Sequence, residues 1–114
     1  MNSPLIKYSD ELTAVVIAWY KEQIHKDYTM HSLYDQLLRS ATSIGANIAE
    51  SQFSQSSADY NTKMYIALKE ANETRYWVKH LTLDGSIEND TSDTMIDKVE
   101  NILNILASIT KRTL

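Results

Sequence analysis

Few residues in this chain have the types and spacing that chemistry requires. Glu22-Gln23-Ile24-His25 is one Glu-x-x-His element, the pairing with which helical bundles hold two iron atoms, but that chemistry needs a second such element and two more helical glutamates. The second copy is missing. His31 and His80 have no evident Ser or Asp partner for a nucleophilic triad. The only glycines are Gly45 and Gly85, so no phosphate-cradling loop exists. Cysteine is absent, which excludes a disulfide framework, a thiolate zinc site and a cysteine nucleophile. These residues lead us to expect no catalytic residue, no metal and no cofactor. A metal-dependent bundle enzyme is the competing class.

A second constellation is electrostatic. Arg39, Ser43 and Glu50 share one line of a helical segment, and Glu70 and Glu73 share one line of the next. Paired carboxylates can do acid/base work, but an arginine facing them neutralises both with its planar fork. The expectation is a structural polar network of Arg39, Glu50, Glu70 and Glu73.

A third set is basic. The chain has 11 Lys and Arg against 15 Asp and Glu, a net charge of -4, which argues against wholesale wrapping of nucleic acid. Charge is uneven, however. Residues 51–83 are net positive while both flanks are negative. There Lys63, Lys69, Arg75 and Lys79 are interleaved with Tyr65 and Tyr76, groups able to meet phosphate or stack on bases. Any RNA or DNA binding from this source should be weak and salt-sensitive. The plainer reading is a solvated helix face of mixed Lys and Glu.

Helices must position all of these groups. From about Ser9 to Asp27, Leu12, Val16, Trp19 and Gln23 recur at spacings of four and three, with Ser9 as cap candidate and Asp10 and Glu11 at the positive end of the helix dipole. A second segment, capped by Ser32 and running to Ser51, gathers Leu33, Leu37, Ala41, Ile44 and Ile48 on one face. After a Ser/Gln-rich break at residues 52–57, a third runs from Ala58 to Leu83 with Tyr60, Met64, Ala67, Ala71 and Val78 on one side, ending at Asp84-Gly85. The fourth follows the cluster Asn89-Asp90-Thr91-Ser92-Asp93 and sets Met95, Val99, Ile102, Leu106 and Ile109 at strict 4,3,4,3 spacing. No segment alternates like a strand. The pattern predicts one all-α domain over residues 1–114, an antiparallel up-down-up-down four-helix bundle. No run of about 18 apolar residues is present to span a membrane, and the charged start MNSPLIKYSDEL is unlike a signal peptide, so a cytoplasmic location is expected.

Two features look beyond a single bundle. Ala41, Gly45 and Ala49 form a smooth ridge, and a glycine inside a helix costs roughly 1 kcal/mol relative to alanine, so something should approach Gly45 closely, either a neighbouring helix or another subunit. On the third helix, Ile66 and Trp77 share a line away from the core stripe, and Tyr65 and Tyr76 lie on yet another side. A helix that is apolar on several sides is usually covered on several sides. Gly45, Ile66, Tyr65, Tyr76 and Trp77 are therefore candidate subunit contacts, and the chain is expected to self-associate.

The strings Gln36-Leu37-Leu38-Arg39-Ser40, Ser43-Ile44-Gly45-Ala46-Asn47-Ile48-Ala49-Glu50 and Ile66-Ala67-Leu68-Lys69-Glu70-Ala71-Asn72-Glu73-Thr74, followed by Tyr76-Trp77, resemble the four-helix-bundle proteins of 23S rRNA intervening sequences. The resemblance implies an antiparallel bundle assembling into a homopentamer, a ribosomal-protein-like label, and no catalytic residue. A relative of that family, the accessory protein of diversity-generating retroelements, implies the alternative of a bundle that binds reverse transcriptase and nucleic acid through a basic surface.

Overall fold

A computed structural model describes residues 2–111 of the chain. Four long helices make up almost all of it: α1 (Ser3–Lys26), α2 (His31–Ser51), α3 (Ser57–Leu83) and α4 (Asn89–Lys111), with a single 3-10 turn at Tyr28–Met30 between the first two. Each helix packs on its two neighbours in the cycle α1–α2–α3–α4, and among the described residues the backbones of the diagonal pairs stay apart. The result is a rod of 45 × 21 × 21 Å. Consecutive helices run antiparallel, as the short connections require.

The apolar stripes meet along the axis. Leu12, Val16, Leu37, Ala41, Ile44, Ala67, Ala71, Val78, Met95, Val99, Ile102 and Leu106 are all fully buried, so the 4,3,4,3 seam of α4 is core down to Leu106, with Ile109 partly buried at its end. Two polar residues continue the stripe. Thr74 lies between Ala71 and Val78 on α3, fully buried, and its hydroxyl donates to Ser40 Oγ of α2 at 2.9 Å. Each hydroxyl is satisfied, which makes the pair tolerable in a core.

Four local features differ from the expectation. α1 begins at Ser3 rather than near Ser9: Asn2 is the cap, accepting from Leu5 N at 3.0 Å, and Pro4 sits in the first turn where its missing N–H costs nothing. Ser9 is instead a buried mid-helix residue. On α2 the helix starts at His31 without a side-chain cap, and Tyr34, not Leu33, faces inward; Tyr34 continues the spacing of Leu37, Ala41 and Ile44 backwards by three, whereas Leu33 is 39% exposed. Finally, α4 runs through the Asn89–Asp93 cluster instead of following it, and Ser92 is buried, accepting from Thr82 Oγ1 at 2.9 Å.

The ends are closed by specific bonds. Gly85 takes φ +90°, which turns the chain so that Ile87 N–H donates to Leu81 O at 3.0 Å and the Ile87 side chain enters the core. Trp19 Nε1 donates to Ser86 O at 3.1 Å, Tyr34 OH bonds Ser86 Oγ at 3.0 Å, and the two rings meet edge to face with centroids 5.2 Å apart. One end of the bundle is thereby tied across α1, α2 and the turn between α3 and α4.

Candidate functional site

Antiparallel pairing of α2 and α3 sets the polar network, because as one index rises the other falls. Arg39 meets Glu70 and Glu73, Ser40 meets Thr74, and Glu50 meets Lys63. Arg39 Nη1 donates to Glu70 Oε2 at 2.9 Å, and Nη2 donates to Glu73. The Arg39 side chain is 51% exposed while that of Glu70 is 8% exposed, so the arginine acts as a lid over a buried carboxylate. The Glu73 bond above all, helped by the charge of both glutamates, raises the guanidinium pKa above its ordinary value against the opposing effect of burial.

Glu50 is not part of that network. It lies eleven residues beyond Arg39, about 16 Å along the axis at 1.5 Å per residue, and pairs with Lys63 at 3.6 Å instead. The set expected from the sequence is therefore corrected to Arg39, Glu70 and Glu73. Trp77 joins it, donating from Nε1 to Glu73 Oε2 at 3.2 Å.

The four basic residues of α3 do not form one patch. Lys63, Lys69 and Arg75 are six apart, and at about 100° per residue each step of six turns the side chain by about 120°. Lys63 turns toward α2 and Glu50. Arg75 turns toward α4, donating to Glu100 at 3.3 Å and to Asn72 Oδ1 at 3.0 Å. Lys69 and Lys79 are exposed and have no ionic partner among the described residues. They flank an outward aromatic group in which Tyr76, 53% exposed, stands edge-on to Trp77 at 5.1 Å and tilted against His80 at 4.3 Å. Further along the same helix, Thr62, Tyr65, Ile66, Leu68, Lys69 and Asn72 line an open hollow.

Gly45 finds its close neighbour inside the bundle. A Cβ at that position would stand 2.9 Å from Ser9 Oγ of α1, so the glycine admits α1. Beside this crossing a groove of about 270 Å³ opens between α1 and the end of α2, lined by Ile6, Ser9, Asp10, Gly45, Ala49 and Phe53 among others. Phe53 is 87% exposed. The Ser9 hydroxyl is buried without a hydrogen-bond partner among the described residues. The sequence marked the small-residue ridge but not this groove.

The Glu-x-x-His element is on the outside of α1, with Glu22 3.7 Å from Lys26 and His25 exposed. Among the described residues no three His, Asp or Glu side chains gather as a metal site would require. None of the described helices is long and apolar enough to cross a membrane.

Comparison with known proteins agrees with the geometry. A solved structure described as a protein of unknown function from the S23 ribosomal protein family of Bacteroides thetaiotaomicron VPI-5482 is 36% identical, with a TM-score of 0.86 over 94% of this chain and 98% of that one. No curated protein matches. The family model for the 23S rRNA-intervening sequence protein matches residues 2–108. A sequence match over nearly the whole length, together with the same four-helix architecture, makes this chain a member of the 23S rRNA-intervening sequence protein family.

Proposed function

We propose that this protein is a non-enzymatic, homo-oligomeric interaction module of the cytoplasm, a ribonucleoprotein accessory whose outer α3 face is a contact surface. The observation that supports it is that α3 carries Tyr65, Ile66, Tyr76 and Trp77 outside the bundle core, all partly or largely exposed. Single exposed aromatics are ordinary on a soluble protein, but four such side chains on one helix make a surface that a partner would cover. Five copies is the arrangement that the family resemblance suggests. Light scattering at micromolar concentration tests the reading: a species near five times 13.0 kDa supports it in full, a dimer leaves association without a ring, and a monomer rejects it.

A second reading, a nucleic-acid or reverse-transcriptase accessory, is favoured by Lys69 and Lys79, exposed and without an ionic partner among the described residues, on the helix that carries the exposed Tyr76 ring. Cation and stacking platform are what single-stranded nucleic acid binding uses. A fluorescently labelled RNA titrated at low and at high salt tests it.

A further inference from the structure

A contact between identical bundles can join like surfaces or unlike ones, and two unlike surfaces of this molecule stand uncovered in the same half of the rod. One is the α1–α2 groove, built from the first turns of α1 and the last turns of α2. Its walls are Ile6, Gly45, Ile48, Ala49 and the outward Phe53, and its rim carries Asp10, exposed and without an ionic or hydrogen-bond partner among the described residues. The other is the open hollow on the first half of α3, where Tyr65 and Ile66 flank Lys69. Lys69 is likewise exposed and unpaired, because Glu73, one turn away, is already held by Arg39 and Trp77.

We infer that the α3 face of one copy docks into the α1–α2 groove of the next, with Ile66 and Tyr65 against Ile6 and Ala49 and with Lys69 paired to Asp10. The assignment rests on the oligomeric reading above and specifies its contact. Two observations carry it. Each surface is apolar with one unsatisfied charge, and the two charges are opposite, the arrangement that fixes register across an interface. The surfaces sit at matching heights: residues 6–10, 45–53 and 62–72 all belong to the end where α2 turns into α3, so neighbouring rods align without sliding. Two different faces per copy make the contact head-to-tail, which closes into a ring when the rotation allows.

The test is a charge exchange on the full chain, read by light scattering across a dilution series, with circular dichroism confirming that each variant is helical. Asp10→Lys and Lys69→Asp should each weaken self-association by about tenfold or more, since like charges then face each other. The double variant Asp10→Lys/Lys69→Asp should return to within about threefold of the native protein, because the exchanged pair again attracts. Should either reversal disturb folding, Asp10→Asn and Lys69→Gln serve in its place, each expected to weaken association and to reduce its sensitivity to salt. Native oligomer with single variants indistinguishable from it, or a double variant no better than the worse single, overturns the pairing and leaves the oligomeric reading standing. A monomeric native protein overturns both.

Discussion

Arg39 of α2 covers Glu70 of α3, its guanidinium donating at 2.9 Å to a carboxylate whose side chain is only 8% exposed. A half-exposed cation and a buried anion are not equivalent partners. Losing the arginine strands a charge in the bundle, whereas losing the carboxylate leaves the half-exposed arginine its bond to Glu73.

Arg39→Met is therefore expected to lower stability by roughly 1 to 3 kcal/mol, the cost of an unsatisfied buried polar group. Lys63→Met should cost less, since Glu50 is 60% exposed in its side chain and surface pairs contribute about 0 to 1 kcal/mol. Urea midpoints order the two. If Arg39→Met matches the native protein while Lys63→Met does not, the network has been misassigned. Adding Glu70→Leu to Arg39→Met should recover much of the loss.

Leu106→Ala, in the fully buried seam of α4, is expected to cost about 2 to 5 kcal/mol as lost burial plus a cavity. Thermal denaturation measures it, and an unchanged midpoint would remove Leu106 from the core.

Gly45 and Ser9 give a prediction of opposite sign. Alanine at Gly45 gains helix propensity of roughly 1 kcal/mol but meets Ser9 Oγ at 2.9 Å. Ser9→Ala together with Gly45→Ala removes both the clash and the buried hydroxyl, so the double variant should melt above the native protein and above Gly45→Ala alone. A lower midpoint for the double would mean that the two helices cannot accept the added methyl.

Tyr20 donates to Asp35 across α1 and α2. That bond, with burial and the charge of Asp35 acting the same way, raises the Tyr20 pKa above its ordinary value. Because the folded value is the higher one, the stability it contributes is fully present below tyrosine's usual value of about 10 and is lost as pH rises through the folded value. Tyr20→Phe should show a shallower alkaline loss of stability than the native protein as pH rises above about 10. Parallel curves would dismiss the linkage.

Nucleic-acid binding, where found, should fall steeply with added salt, as counterion release requires. Lys69→Ala and Lys79→Ala should reduce it more than Lys63→Ala or Arg75→Ala, whose charges are already met by Glu50 and Glu100. Tight binding that survives about 0.5 M salt would contradict this origin.

How far the sequence reaches can be seen residue by residue. The α4 seam is legible because apolar side chains at 4,3,4,3 spacing have one way to be buried. Arg39 with Glu70 and Glu73 is legible because each helix puts them on one line. Glu50 fails for a reason of axial distance: a shared line says nothing of height, and only the antiparallel register brings Lys63 opposite. The cap at Asn2 is hidden by Ser9, an equally good capping type followed by acids; Pro4 in a first turn was the available signal. The α1–α2 groove is invisible beforehand because it depends on how closely Gly45 lets two helices cross, which no single helix pattern records.

The bond from Trp19 to Ser86 O has an optical consequence. Trp19 is nearly buried against Tyr34, while Trp77 lies on the α3 face bonded to Glu73. These are the chain's two tryptophans, and they report on different events. Emission from Trp19 follows the opening of the bundle end, and emission from Trp77 follows the surroundings of the α3 face. Replacing either one with phenylalanine leaves a protein whose intrinsic fluorescence reports on one of these two places alone, without any added label.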